Sequence, residues 1–126
     1  MQGDSMTEKE NVIRTLESFK DLPPNWNGYG AQKIKPRIVD SAIKLVRELP
    51  ITLQAFPTSF GTIQLETGDK NGNYLEIEFL SVDTVAVFID NENMSATYIE
   101  SRGLNLKKCR DKTKLLKLLD DFLDSI

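Results

Sequence analysis

The chain has 126 residues, of which 28% are charged, and a formal net charge of −3. A chain of this length builds one domain around one apolar core and folds without the help of metals or disulfides. It has one cysteine and no histidine, which excludes an internal disulfide, Ser–His and Cys–His nucleophiles, and zinc sites that use histidine.

The sequence contains no apolar stretch of the length that crosses a membrane, and its first residues lack the pattern of a secretory signal. The lone cysteine fits a reducing compartment. We therefore expect a cytoplasmic protein without membrane association.

The N-terminal part of the chain predicts two helices. Ser5 and Glu8 fit a capping box, which indicates that the first helix begins near Ser5, and apolar residues then recur at helical spacing up to the prolines at 23–24. After a loop with two glycines, Pro36 stands where a first helical turn accepts proline, and a second apolar stripe runs to Leu49.

From residue 51 onward the apolar period changes to two, which predicts strands. Ile51 and Leu53 predict a short first strand. Four further segments alternate in the same way: 62–66, 74–79, 84–90 and 95–101. Consecutive short strands joined by short polar turns favour an antiparallel meander.

A last helix is predicted from Lys112 to Asp124, with Asp111 as the residue suited to cap it. The predicted fold class is therefore α+β: two N-terminal helices, an antiparallel meander of four to five strands, and one C-terminal helix. The helices are expected to pack on one face of the sheet, so that the other face stays wet.

The loop Trp26-Asn27-Gly28-Tyr29-Gly30-Ala31 is the first candidate site. Trp26 and Tyr29 could form an exposed recognition surface, since aromatic rings give contact area at low entropic cost. The plainer alternative, which we favour for a single tryptophan in a small domain, is that Trp26 plugs the core between the first two helices while the glycines make the corner.

The wet face of the sheet is the second candidate site. Alternation places eight side chains on it: Gln64, Glu66, Tyr74, Glu76, Glu78, Thr84, Phe88 and Asp90. Five of these are the candidate partner-binding residues: Glu66, Tyr74, Glu76, Glu78 and Phe88. A solvated face is the plain interpretation. The aromatic residues among the acids favour a surface that binds a basic partner, and paired carboxylates also occur in metal sites and glycoside hydrolases.

A basic cluster before and within the start of the last helix is the third candidate site: Lys107, Lys108, Arg110, Lys112 and Lys114. Bases at a helix N-terminus interact unfavourably with the helix dipole, so we expect another interaction to compensate for this. Ion pairs with neighbouring acids are the plain explanation, and a small-anion or phosphate site is the sharper one.

The loop from Trp26 to Ala31, followed by Ile34, Pro36 and a helix, and the later strand Gly61-Thr62-Ile63-Gln64-Leu65-Glu66 resemble a group of small uncharacterised bacterial proteins. That group carries a W-[D/N]-G-Y-G-A loop and a G-x-[I/V]-x-L-E strand. The resemblance covers roughly residues 20 to 90 and implies no activity; it suggests accessory roles such as antitoxin or immunity protein.

These observations predict a non-enzymatic binding module whose partner is another protein, with no cofactor and no metal. One alternative is a small anion- or nucleic-acid-binding protein that uses the basic cluster, although the acidic net charge makes nucleic acid an unfavoured partner. The least favoured alternative is a carboxylate-based metal-binding enzyme. Self-association through an edge strand, near Ile51 or in the segment 94–101, is also open.

Overall fold

The computed structural model describes residues 7–91 and 98–125. Within these ranges the helices are α1 (Glu8–Ser18), closed by a 3-10 turn (Phe19–Asp21), α2 (Pro36–Glu48) and α3 (Cys109–Ser125). The strands are β1 (Gln54–Pro57), β2 (Ile63–Gly68), β3 (Tyr74–Phe79), β4 (Thr84–Asp90) and β5 (Tyr98–Asn105). None of the helices in the described ranges has the length and apolar content needed to cross a bilayer.

The five strands form one antiparallel sheet in the order β1-β2-β3-β4-β5, so each strand pairs with its neighbours in sequence. The pairing is regular from β1 to β4 and shifts between Val85 and Val87, where β5 carries Gly103 at a φ of 75°. The predicted α+β class, with an antiparallel meander and a C-terminal helix, is confirmed.

The two faces of the sheet differ in burial. One face is fully buried and carries apolar residues: Ile63, Leu65, Leu75, Ile77, Phe79, Val85, Val87 and Ile89. These side chains join the buried residues of the helices in a single apolar cluster, to which Leu16, Val39 and Leu119 contribute. Burial of one such side chain stabilises the fold by about 1.5–3 kcal/mol.

The opposite face, here called the outer face, is half-buried. Its residues on β2, β3 and β4 are Gln64, Glu66, Tyr74, Glu76, Glu78, Thr84, Ala86, Phe88 and Asp90, of which Asp90 is exposed to solvent. Phe56 of β1 belongs to it as well, because it pairs with Gln64. The alternation in the sequence therefore assigned these side chains to the correct face.

The start of α1 differs from the prediction. Ser5 lies outside the described residues, and the helix begins at Glu8 with Thr7 as its N-cap. The Thr7 hydroxyl accepts a hydrogen bond from the backbone N–H of Glu10 (3.1 Å) and donates one to the carboxylate of Glu10 (3.0 Å). Thr7 therefore supplies the capping oxygen that was assigned to Ser5.

The first strand also begins later than predicted. Ile51 lies in a bend, Leu53 is buried without joining the sheet, and β1 starts at Gln54. The apolar residues Ile51 and Leu53 lie in the segment that follows α2, where the chain is partly buried against the core. The register of β1 and β2 begins at Gln54, so neither residue is paired with β2.

The junction of β5 and α3 is the third difference. The predicted strand 95–101 lies partly outside the described residues, and β5 continues to Asn105. Helix α3 begins at Cys109, so Asp111 is inside its first turn and does not cap it. The Asp111 carboxylate instead accepts a hydrogen bond from the backbone N–H of Asn105 (2.9 Å), at the end of β5.

The edge strand β1 is poorly suited to pairing with another strand. The backbone N–H of Thr58 donates to the carbonyl of Thr62, the residue just before β2 (3.0 Å). Successive backbone nitrogens of a strand point to opposite sides, so the nitrogen of Pro57 points toward the free edge of the sheet. Proline has no N–H to offer there. Proline on an edge strand is one of the features by which natural sheets limit pairing with another chain.

Candidate functional site

Two acidic side chains meet near the middle of the outer face. Glu66 on β2 and Glu76 on β3 are direct cross-strand partners. The phenol oxygen of Tyr74 lies 2.7 Å from Glu66 Oε2 and 2.7 Å from Glu76 Oε1. A phenol has one hydrogen, so it donates to only one of these carboxylates at a time.

Tyr74 is held in its protonated form by this arrangement. Burial raises the pKa of Tyr74 well above its ordinary value, and the hydrogen bonds to Glu66 and Glu76 raise that pKa further. The phenol therefore acts as a fixed hydrogen-bond donor between the two acids.

No ion pair reaches the glutamates of the outer face from the described part of the chain, although Arg102 borders Glu76 and Glu78 in a small cavity. Among residues 7–91 and 98–125, no lysine or arginine forms an ion pair with Glu66, Glu76 or Glu78. Like charges directly opposite on neighbouring strands are destabilising. The geometry of this pair is therefore suited to a cationic group supplied from outside.

Aromatic and hydroxyl groups border the acids. The rings of Tyr74 and Phe88 are 5.9 Å apart in an edge-to-face arrangement, and Phe88 is the cross-strand partner of Glu76. Glu78 accepts a hydrogen bond from the hydroxyl of Thr62 (2.7 Å). Thus all five candidate residues of this face lie on it, and the structure brings Glu66, Tyr74 and Glu76 into direct contact.

A groove opens beside the acidic pair, between α1 and the adjoining ends of β1, β2 and β3. Its volume is about 630 Å³, and its lining includes Asn11 and Val12 of α1, Gln54, Glu66 and Tyr74. The lining is mainly polar, with side-chain amides and a carboxylate among its groups. Such a groove offers hydrogen-bond acceptors to an inserted polar side chain.

The predicted aromatic loop separates its two rings. Tyr29 is 92% exposed, whereas Trp26 is half-buried and is not among the residues of the apolar cluster in the described chain. The expectation that Trp26 plugs the core is therefore wrong. The indole Nε1 of Trp26 is buried without a hydrogen-bond acceptor among residues 7–91 and 98–125.

The loop is held by its asparagines and glycines. The side-chain oxygen of Asn27 accepts from the N–H of Tyr29 (2.8 Å) and of Ala31 (3.2 Å), and that of Asn25 accepts from the N–H of Gly30 (2.6 Å). Gly28 and Gly30 have φ values of 78° and 84°, which residues with a Cβ rarely adopt. The glycines make the turn of this loop, as predicted, and the turn exposes Tyr29 to solvent.

Phe60 was missed by reasoning from the sequence. It lies in the turn between β1 and β2 and is 75% exposed. This turn runs beside the Tyr29 loop, because the N–H of Gln32 donates to the carbonyl of Ser59 (2.9 Å). We call Tyr29 and Phe60 together the aromatic corner; a single aromatic residue in a turn carries no periodic signal that would have predicted it.

The basic cluster is divided by ion pairs. Lys107 pairs with Asp83 (3.4 Å) and Lys112 pairs with Glu48 (2.8 Å), while Lys108, Arg110 and Lys114 are exposed. Two of the five bases thus form ion pairs with acids on neighbouring elements. Ion pairing of this kind was the plain explanation for bases at the start of the last helix.

Groups of three or more acidic, cysteine or histidine side chains that could hold a metal ion do not occur within residues 7–91 and 98–125. Glu66, Glu76 and Glu78 share a face, but the third accepts its hydrogen bond from Thr62 and stands apart from the other two.

Comparison with protein-family models, with curated proteins and with solved structures gives no match for this chain.

Proposed function

We propose that this chain is a non-enzymatic protein-binding module and that its partner docks on the outer face of the sheet with a basic surface. The observation that carries the proposal is the pair Glu66 and Glu76. The two acids are direct cross-strand partners and compete for one phenol hydrogen, and no described lysine or arginine pairs with them.

Two like charges opposite each other lower the stability of the folded protein. A binding function would explain why the chain keeps them. Like charges opposite each other on adjacent strands cost about 0.2–1 kcal/mol relative to a neutral pair. Natural proteins tend to break local rules of this kind at functional sites. A cationic group from a partner would turn the cost into an attraction.

The aromatic residues of the outer face supply contact area. Tyr74 and Phe88 are half-buried and pack edge to face, and Tyr residues are enriched in the cores of protein interfaces. We take the helices to cover the opposite, buried face, because their apolar residues join the same cluster as Leu65, Ile77 and Val87. The outer face is then the one left for a partner. An antitoxin or immunity-type role, which the resemblance implies, is one form of such a module.

Affinity capture from a lysate of the native host tests the proposal. The bait is wild type or the double variant Glu66→Gln/Glu76→Gln, and the matched control is Asp120→Asn/Asp124→Asn, which makes the same change of net charge at two exposed positions of α3. We expect wild type and the control to retain one stoichiometric partner at low salt, and the Glu66/Glu76 variant to lose it. Capture of the same protein by all three baits, or no stoichiometric partner for wild type, would contradict the proposal.

A further inference from the structure

We infer that the aromatic corner, Tyr29 and Phe60, is the apolar anchor of the same docking surface and receives an arginine-bearing segment of the partner. This inference rests on the proposed function. It adds a second contact region, which no periodic pattern in the sequence predicts, and it commits the partner to one chemistry.

Exposure is the first argument. Single apolar side chains on a surface are ordinary, but Tyr29 is 92% and Phe60 75% exposed on loops that run side by side. Phe56, on the outer face of β1 close to the same turn, is a third exposed ring, at 42%. Exposed aromatic side chains carried on adjoining segments are typical of interaction sites.

Rigidity is the second argument. The Tyr29 loop is fixed by the side chains of Asn25 and Asn27, and the turn that carries Phe60 is fixed by Thr58, whose hydroxyl accepts from the N–H of Phe60 (3.2 Å). A preorganised loop loses little conformational entropy on binding. The backbone that carries the two rings is therefore already ordered before a partner binds.

Continuity with the acidic face is the third argument. The hydroxyls of Thr58 and Thr62 are hydrogen-bonded to each other, and Thr62 donates to Glu78 on the outer face (2.7 Å). The turn that carries Phe60 is thus joined directly to an acid of that face. A partner that spans the corner and the face meets exposed rings together with carboxylates that form no ion pair among residues 7–91 and 98–125.

This combination selects arginine among the cations of proteins. A guanidinium is planar, stacks on an aromatic ring with its flat face and still directs its N–H groups at a carboxylate, whereas an ammonium is a compact, strongly hydrated charge. The occupant we assign is therefore a segment of a partner protein that contains arginine, with one side chain at the corner and another at Glu66 and Glu76.

A phage-displayed library of random peptides, selected on the immobilised wild-type protein, tests this assignment. We expect enriched peptides to contain arginine, and a synthetic copy to bind Tyr29→Ala/Phe60→Ala about tenfold or more weakly, as for an interface hot spot. Leu116→Ala is the control, because Leu116 is exposed on α3 at 39%, and it should bind like wild type. Replacing arginine by lysine in the peptide should weaken binding to wild type.

Each other outcome overturns a distinct statement. Enriched peptides without arginine, or no enrichment, overturn the assigned occupant. Arginine peptides that need Glu66 and Glu76 but bind equally well to the corner variant overturn the anchor and leave the proposed function standing. Peptides that bind through the corner and are indifferent to Glu66→Gln/Glu76→Gln overturn the proposed docking face. Circular dichroism of the variants checks that truncating two exposed rings leaves the fold unchanged.

Discussion

Glu66 and Glu76 face each other across β2 and β3 and share the single hydrogen of the Tyr74 phenol. Neither acid has a basic partner among residues 7–91 and 98–125. Like charges directly opposite on neighbouring strands are destabilising, so the proposed docking site should carry a stability cost in the free protein. This trade between stability and binding can be measured directly.

Neutralising one acid should stabilise the free protein. In Glu66→Gln the like-charge contact disappears while a side chain of similar shape remains, so we expect the free energy of unfolding to rise by about 0.2–1 kcal/mol. Urea denaturation at neutral pH and low ionic strength measures this change. The increase in the free energy of unfolding should be smaller in concentrated salt, which screens half-exposed charges. If Glu66→Gln instead unfolds more easily than wild type at low salt, the pair stabilises the fold and the prediction is wrong.

The Tyr74 phenol should make stability depend on alkaline pH. Because the folded protein raises the pKa of Tyr74 above its unfolded value of about 10, its contribution is fully present below that pH. It is lost as the pH rises, because the unfolded chain releases the proton more readily than the folded one. Tyr74→Phe should therefore be less stable than wild type at neutral pH by about 1 kcal/mol, with the difference narrowing above about pH 10. A difference that is constant with pH would contradict this origin.

The indole N–H of Trp26, which has no acceptor among residues 7–91 and 98–125, should be dispensable. A buried donor without an acceptor costs about 1–3 kcal/mol, and Trp26→Phe removes it while retaining an aromatic ring. We expect the free energy of unfolding of this variant to stay within about 1 kcal/mol of the wild-type value. The smaller ring buries less apolar area, but the cost of burying an N–H without an acceptor is removed. Trp26→Ala is the comparison and should unfold at a clearly lower temperature; equal losses for the two variants would mean that the N–H has a partner in solution.

The backbone of the aromatic loop should depend on glycine at position 30. Gly30 has a φ of 84°, and a Cβ added there meets no atom within 4 Å. The cost of Gly30→Ala is thus one of backbone conformation, about 1–2 kcal/mol. Gly30→Asn should cost less, because asparagine tolerates this region. Thermal denaturation of the two variants ranks them, and a larger loss for asparagine would refute the backbone explanation.

Strands β2, β3 and β4 were predictable because branched or aromatic apolar residues recur at every second position in each, and these are the buried ones. That alternation also assigned Glu66, Glu76 and Phe88 to one face. The helix starts were less predictable, since several polar residues near an end can cap it. Thr7 caps α1, and Asp111 serves the end of β5, a choice that depends on tertiary contacts.

The aromatic corner was not predictable in full, because it depends on contacts between distant segments. Tyr29 stood out through its glycines, but nothing in the sequence relates it to Phe60, which lies in another turn. The hydrogen bond from Gln32 to Ser59 brings the two loops together. A pairing of this kind appears only once the chain is folded.

The order of the strands also bears on how the chain forms during synthesis. Each strand pairs with the one before or after it, so every hairpin closes a short loop at low entropic cost. Folds rich in such local pairings form faster than those that join distant segments. The sheet can therefore begin to form during synthesis from neighbouring strands alone, and the proposed module should need no template from a partner to reach its folded shape.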